Sequence, residues 1–113
     1  MDIQREMDNG EKLRIVSRDD LADAYVSLKV CDLGELADSE RALHLLAEAN
    51  YFGLELGGMA FALPPEGDGL YLVDRQPKVY LEDEETLEEY VGHVGAVLED
   101  ALRIVVGLEA ANG

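Results

Sequence analysis

The sequence has 113 residues, 48% of them apolar, which is the size and composition of one globular domain. Its formal charge of −16, from 25 acidic and nine basic side chains, disfavours binding to nucleic acids and to anionic membrane surfaces. No stretch reaches the roughly 18 apolar residues of a membrane span, and the N-terminus carries no leader pattern. We therefore expect one cytoplasmic domain over residues 1–113.

The first third of the chain shows the two-residue period of β-strands. Ile3 to Met7 and Lys12 to Ser17 flank Asp8-Asn9-Gly10, whose residues suit a tight hairpin turn. Apolar and polar residues alternate again from Tyr25 to Asp32. These patterns predict a β-hairpin followed by a third strand.

The middle of the chain changes to helical periodicity. Apolar residues recur at helical spacing from about Glu40 to Phe52, with Asp38 or Ser39 as the N-terminal cap and Gly53 as a left-handed C-terminal stop. The apolar surface of this helix is broad, which indicates that more than one neighbour covers it.

A second hairpin and a long helix complete the chain. Met59 to Leu63 and Leu70 to Val73 are short apolar runs joined by a turn rich in glycine and proline, and Pro77 ends the return strand. A broad apolar stripe then predicts one helix from Glu84 to about Leu108. Its two glycines, Gly92 and Gly95, indicate either a close approach of another backbone or a tolerated imperfection.

The element order is therefore β-β-β-α-β-β-α. It predicts an α+β fold in which an antiparallel sheet of about five strands packs against two helices. The sequence contains no internal repeat and no linker that would indicate a second domain.

Residues that carry chemistry are sparse. His44 and His93 are the only histidines, and neither has a second ligand at metal-binding spacing. Cys31 is the only cysteine and is interpreted as a small buried hydrophobic residue. The acidic run from Glu82 to Glu89 is typical of a solvated helix start, and no phosphate loop or nucleophile elbow is present. We predict a protein that is not an enzyme and needs no cofactor or metal.

Two segments resemble one known family. Leu45-Leu46-Ala47-Glu48-Ala49-Asn50-Tyr51-Phe52, followed by Gly57-Gly58, is similar to the helix end of the class I type III secretion chaperones, the Tir-chaperone-like family. The strand from Gly69 to Pro77, which ends in a basic residue before proline, also resembles that family. Family members normally begin with an amphipathic helix ahead of the first strand, for which this chain has no room.

The resemblance implies a homodimer that meets through the middle helix and the adjoining strand. The broad apolar surface of that helix agrees with such an interface. The residues assigned to it are Leu43, Leu46, Asn50, Met59 and Phe61.

The resemblance also implies a function: the chain binds the N-terminal part of a secreted effector in extended form and keeps it soluble and competent for secretion. The residues assigned to effector binding are Leu13, Ile15, Val26 and Leu28. The same four residues equally suit the face of the sheet buried under the long helix. A different hypothesis is a cytoplasmic regulator or adaptor that binds a folded signalling partner, and a third is a small-molecule enzyme whose helix and sheet enclose a pocket.

Overall fold

The structure, a computed structural model, describes residues 1–35, 39–52 and 56–112. The strands are β1 (Asp2–Glu6), β2 (Lys12–Val16), β3 (Asp23–Asp32), β4 (Ala60–Ala62) and β5 (Gly69–Pro77). The α-helices are α1 (Ser39–Phe52), α2 (Lys78–Glu82) and α3 (Glu84–Asn112), and a short 3-10 turn spans Leu33–Glu35. The predicted Asp38 cap and Gly53 stop of α1 lie outside the described residues.

The five strands form one antiparallel sheet in the order β1-β2-β3-β5-β4. The first hairpin closes as predicted, with Gly10 at φ 81° and the Asn9 side-chain amide donating to the carbonyl oxygen of Lys29 at 2.9 Å. A register shift between Lys29 and Cys31 interrupts the pairing of β3 with β5. The predicted α+β fold with a five-stranded sheet is confirmed.

The hydrophobic core lies between one face of the sheet and α3. Leu87, Val94, Leu98, Ala101 and Val105 from the predicted stripe are all buried, because residues three and four apart share one face of a helix. Helix α1 contributes Leu46, which is 3% exposed and belongs to the same core.

The last helix begins at a defined cap. The Asp83 carboxylate accepts hydrogen bonds from the Thr86 backbone N–H at 3.0 Å and from the Thr86 hydroxyl at 2.8 Å. These two bonds lower the pKa of Asp83, because they favour the charged carboxylate. The cap separates α3 from the short helix α2, which the sequence pattern did not predict.

Candidate functional site

One edge of the sheet is open. Strand β1 is an edge strand, so its outer side pairs with no strand in the described part of the chain. Ser17 N–H donates to the Met1 carbonyl at 3.1 Å, and Met7 N–H donates to the Glu11 carbonyl at 2.9 Å. Because backbone groups alternate in direction along a strand, the odd-numbered residues of β1 face β2. The N–H and C=O groups of Asp2, Gln4 and Glu6 therefore point outward.

A groove continues from this edge along α3. It has a volume of about 580 Å³, and its lining includes the end of β1 and one side of the helix. Met7, Val91, Leu98 and Leu102 supply its apolar walls. The acidic lining residues are Glu6, Asp8 and Glu99. The groove thus combines apolar walls with a negative border.

The helix glycines open onto this groove. Apart from the chain neighbours and the backbone of α3 itself, a Cβ atom placed on Gly92 would meet no described atom within 4 Å, and one on Gly95 would meet only the Met7 Cε at 3.8 Å. No backbone from another described element approaches either glycine. Within the protomer, the interpretation that another backbone packs closely against them is therefore wrong. The glycines instead widen the space beside α3.

The opposite edge of the sheet is closed by a side chain. Asn50 on α1 donates from Nδ2 to the Phe61 carbonyl at 2.8 Å, and the Phe61 N–H donates to Asn50 Oδ1 at 2.7 Å. Phe61 is the central residue of β4, and its backbone groups point away from β5. The Asn50 amide therefore takes the place that a further strand would occupy.

The residues assigned to effector binding lie together, but inside the protein. Their exposed fractions are at most 2%, and they belong to the core between the sheet and α3: Leu13, Ile15, Val26 and Leu28. A partner could reach them only by displacing α3. The prediction that they form an accessible patch is wrong. The structure instead has them under the long helix, which is the other placement that the sequence allowed.

The residues assigned to the dimer interface divide into two groups. Leu46, Met59 and Phe61 are at most 7% exposed within the protomer, where they join the core. Asn50 uses its amide within the chain, whereas Leu43 is 38% exposed on α1. Leu43 is therefore the member of this set with the largest accessible side chain.

A polar cluster fixes α3 to β5. The Tyr90 hydroxyl donates to Asp74 Oδ2 at 2.7 Å, and Gln76 Nε2 donates to the same oxygen at 2.8 Å. Burial, followed by the hydrogen bond to Asp74 and the charge of that carboxylate, raises the pKa of Tyr90 well above its ordinary value. The tyrosine therefore acts as a permanent donor in the physiological range.

The two histidines and the cysteine, which the sequence analysis considered for chemistry, contact groups of the fold. His44 Nε2 lies 3.4 Å from Glu48 Oε1 one turn along α1, and His93 Nε2 lies 3.1 Å from the Gly57 carbonyl oxygen. Cys31 is partly buried against the core. Within residues 1–35, 39–52 and 56–112, no group of three or more His, Cys, Asp or Glu side chains is arranged to hold a metal ion.

The resemblance implied binding along a sheet edge, but the sequence interpretation assigned no residue of β1 or of the groove beside α3 to a site. The signals were present: Asp2, Gln4 and Glu6 alternate with Ile3 and Arg5 in a strand of five residues, and a short strand rich in charged residues is typical of a sheet edge. The groove could not be found in this way, because it depends on how α3 lies relative to Met7.

Comparison with known proteins places the fold. No protein-family model matches the sequence, and no curated protein matches it. Among solved structures, the chain is similar to one in the crystal structure of the ExsC–ExsE complex, with a TM-score of 0.73 and 12% identity over 92% of this chain and 75% of that chain. The two chains therefore share their fold. In the described part of the chain, no helix is both long enough and apolar enough to cross a membrane.

Proposed function

We propose that this protein is a non-enzymatic polypeptide-binding module that acts as a type III secretion chaperone in the cytoplasm. It would hold the N-terminal, extended segment of a secreted effector and keep that effector soluble. The observation that carries the proposal is the open β1 edge, which leads into an apolar groove beside α3. The likeness to a chain from a complex of two proteins supports it.

The binding mode follows from the backbone of β1. Asp2, Gln4 and Glu6 present unpaired N–H and C=O groups, which an extended segment can join as a sixth strand. Alternate side chains of the added strand would then point toward the groove, where Met7 and Leu102 are. The acidic groups Glu6, Asp8 and Glu99 favour a segment in which apolar residues alternate with basic ones.

One contact within the protein competes with strand addition at β1, but it is weak. Arg5 Nη1 donates to the outward-facing Gln4 carbonyl at 3.1 Å, and its Nη2 lies 3.4 Å from Glu88 Oε1. Both side chains of this ion pair are largely exposed, so the contact contributes at most about 1 kcal/mol. An incoming strand can replace the Arg5 contact with a backbone hydrogen bond.

The test uses a proline at the edge. Gln4→Pro removes an outward N–H without removing a bond to β2, so the fold is expected to persist while strand addition fails. Gln4→Ala keeps the N–H and is the matched control. Cytosol of the native cell is passed over each immobilised protein, and bound proteins are quantified by mass spectrometry.

We expect a protein that wild type and Gln4→Ala retain and that Gln4→Pro loses. In the purified complex, amide hydrogen exchange at Gln4 and Glu6 should be slowed relative to the unbound protein. Equal retention by all three proteins, with unchanged exchange at these amides, would contradict binding at the β1 edge.

The homodimer is part of the same proposal. Leu43, Ala47 and Glu48 are exposed on α1 and accessible to a second copy. Light scattering at micromolar concentration should then give twice the 12.4 kDa mass of the chain. Leu43→Glu should shift this mass to that of the monomer by placing a charge in the interface, whereas a monomeric wild type would exclude the dimer.

A further inference from the structure

The side chains of β1 alternate between the two faces of the sheet. Ile3 and Met7 pack against the core, and Arg5 between them reaches Glu88 on α3. A strand that pairs with β1 follows the same alternation, because paired residues of adjacent strands point to the same face. Every second side chain of an added strand therefore projects toward α3, next to Met7.

The space that receives these side chains is the groove beside α3. Its apolar floor belongs to the helix, where Leu98 is 2% exposed while Val91 and Leu102 are partly exposed. Met7 supplies the opposite wall and is also partly exposed. The groove volume of about 580 Å³ is within the range of about 300–1,000 Å³ for pockets that bury most of a ligand. The groove is thus large enough for a bulky apolar side chain.

Gly95 sets the width of the groove. It follows Val91 by four residues and precedes Leu98 by three, so the three residues share one face of α3. A Cβ atom on Gly95 would approach the Met7 Cε to 3.8 Å. A side chain at this position would therefore enter the space between the helix and Met7, which is called the gap below.

Packing within the protomer does not require glycine here. Only proline is less favourable than glycine in the interior of a helix. A distance of 3.8 Å is ordinary van der Waals contact, so at least a methyl group fits beside Met7. Glycine at position 95 therefore lowers the stability of the helix and leaves the gap open.

The border of the gap is acidic. The described lining of the groove contains Glu6, Asp8 and Glu99 and no lysine or arginine. Carboxylates beside an apolar pocket favour a ligand with basic groups at matching positions and disfavour an acidic one. The charge thus selects the neighbours of the residue that enters the gap.

We infer that Gly95 determines specificity: the gap between Gly95 and Met7 admits one aromatic side chain of the strand added to β1, with basic residues on both sides of it. The inference rests on the proposed function, because it names the residue that the bound segment must carry. An aromatic ring suits the gap, since a methionine thioether makes favourable contacts with ring edges. Large aromatic side chains in pockets also contribute most to binding at interfaces.

The test uses fluorescence anisotropy with two fluorescein-labelled peptides of nine residues, in which threonine and lysine alternate and threonine comes first. The central threonine is replaced by phenylalanine in one peptide and by alanine in the other. Gly95→Leu fills the gap, and Gly95→Ala adds a single methyl group. The control, Glu89→Leu, adds a leucine at an exposed position of α3 outside the groove lining. Circular dichroism and urea unfolding establish that each variant is folded.

Wild type should bind the phenylalanine peptide about tenfold more tightly than the alanine peptide, which corresponds to about 1.4 kcal/mol. Gly95→Leu should bind the two peptides with equal affinity, and Gly95→Ala should show a ratio between these results. Glu89→Leu should keep the tenfold ratio. Because glycine is replaced by a better helix former, the two Gly95 variants should unfold at a urea concentration no lower than that of wild type. If Gly95→Leu does not fold, the reduced ratio in Gly95→Ala decides.

The inference is overturned if wild type binds neither peptide or does not distinguish them, or if Gly95→Leu keeps the tenfold ratio. Gly95→Leu and Gln4→Pro test the two proposals separately. If Gln4→Pro weakens both peptides while the ratio does not respond to Gly95→Leu, binding at the β1 edge stands and the gap is rejected. If Gln4→Pro binds both peptides as tightly as wild type, strand addition at β1 is rejected.

Discussion

Asn50 and Phe61 are joined by a pair of hydrogen bonds of 2.8 and 2.7 Å that reproduces the pairing of two β-strands with a single side chain. The amide has one donor and one acceptor group in the same geometry as a peptide unit, and it satisfies both outward groups of Phe61. The pair fixes α1 to the edge of the sheet and gives the asparagine a role within the protomer.

Replacing Asn50 should therefore destabilise the protein. Asn50→Ala removes both bonds and is expected to lower the free energy of unfolding by about 1–3 kcal/mol. Asn50→Asp keeps the acceptor for the Phe61 N–H but places a carboxylate beside the Phe61 carbonyl, so it should not restore stability. Urea unfolding of the two variants measures the effect, and wild-type stability in Asn50→Ala would contradict it.

Tyr90→Phe tests the contact between α3 and β5. Loss of the hydroxyl removes a 2.7 Å bond to Asp74 and should lower stability by about 1.5 kcal/mol, the low end for a bond to a charged acceptor. Tyr80→Phe changes an exposed hydroxyl and should have little effect. Thermal unfolding of both variants at pH 7 makes the comparison.

The same tyrosine predicts a pH dependence at the alkaline end. The pKa of Tyr90 is raised in the folded protein above the ordinary value of 10.0. The neutral hydroxyl therefore makes its full contribution to the free energy of unfolding below pH 10. Above pH 10 the unfolded chain ionises first, and stability falls. The slope of unfolding free energy against pH in this range should be shallower in Tyr90→Phe than in Tyr80→Phe.

Two leucines on α1 separate folding from association. Leu46→Glu puts an unpaired carboxylate in the core and should cost about 4 kcal/mol or more, enough to unfold much of the protein. Leu43→Glu changes an exposed position and should alter protomer stability by no more than about 0.5 kcal/mol. Circular dichroism and urea unfolding distinguish these results, and a fully stable Leu46→Glu protein would show that its environment is misassigned.

The Asp83 cap predicts an effect at acid pH. The carboxylate pKa is lowered by Thr86, so its stabilising contribution is present above the unfolded value of 3.8 and is lost as pH falls through the lower folded value. The difference in melting temperature between wild type and Asp83→Ala should therefore shrink below pH 3.8. Asp83→Asn keeps a capping oxygen without a charge and should retain its stability there. A constant difference for Asp83→Ala would contradict the cap.

The strand and helix patterns were largely readable from the sequence because burial has a period. Leu13 and Ile15 alternate with polar residues, and the α3 stripe repeats every three or four residues. Helix α2, from Lys78 to Glu82, is too short to show a period. The second half of β5 is polar, and its pairing with the start of β3 shows only in three dimensions.

The candidate site was less predictable, since it depends on register. Alternation identifies the apolar face of β2 and β3, but it does not say whether a helix of the same chain or a partner covers that face. The four residues assigned to effector binding therefore suited both placements. The open edge likewise shows only in the strand order of the sheet, in which β1 lies outermost beside β2.

The unequal edges of the sheet limit how the protein can aggregate. When β1 of a second molecule joins β1, both open edges are used, and the edge at β4 of each sheet is already occupied by the Asn50 amide. Edge-to-edge growth therefore stops after one addition instead of propagating into a fibre. The protein can in this way keep an edge strand that binds a partner without forming fibres.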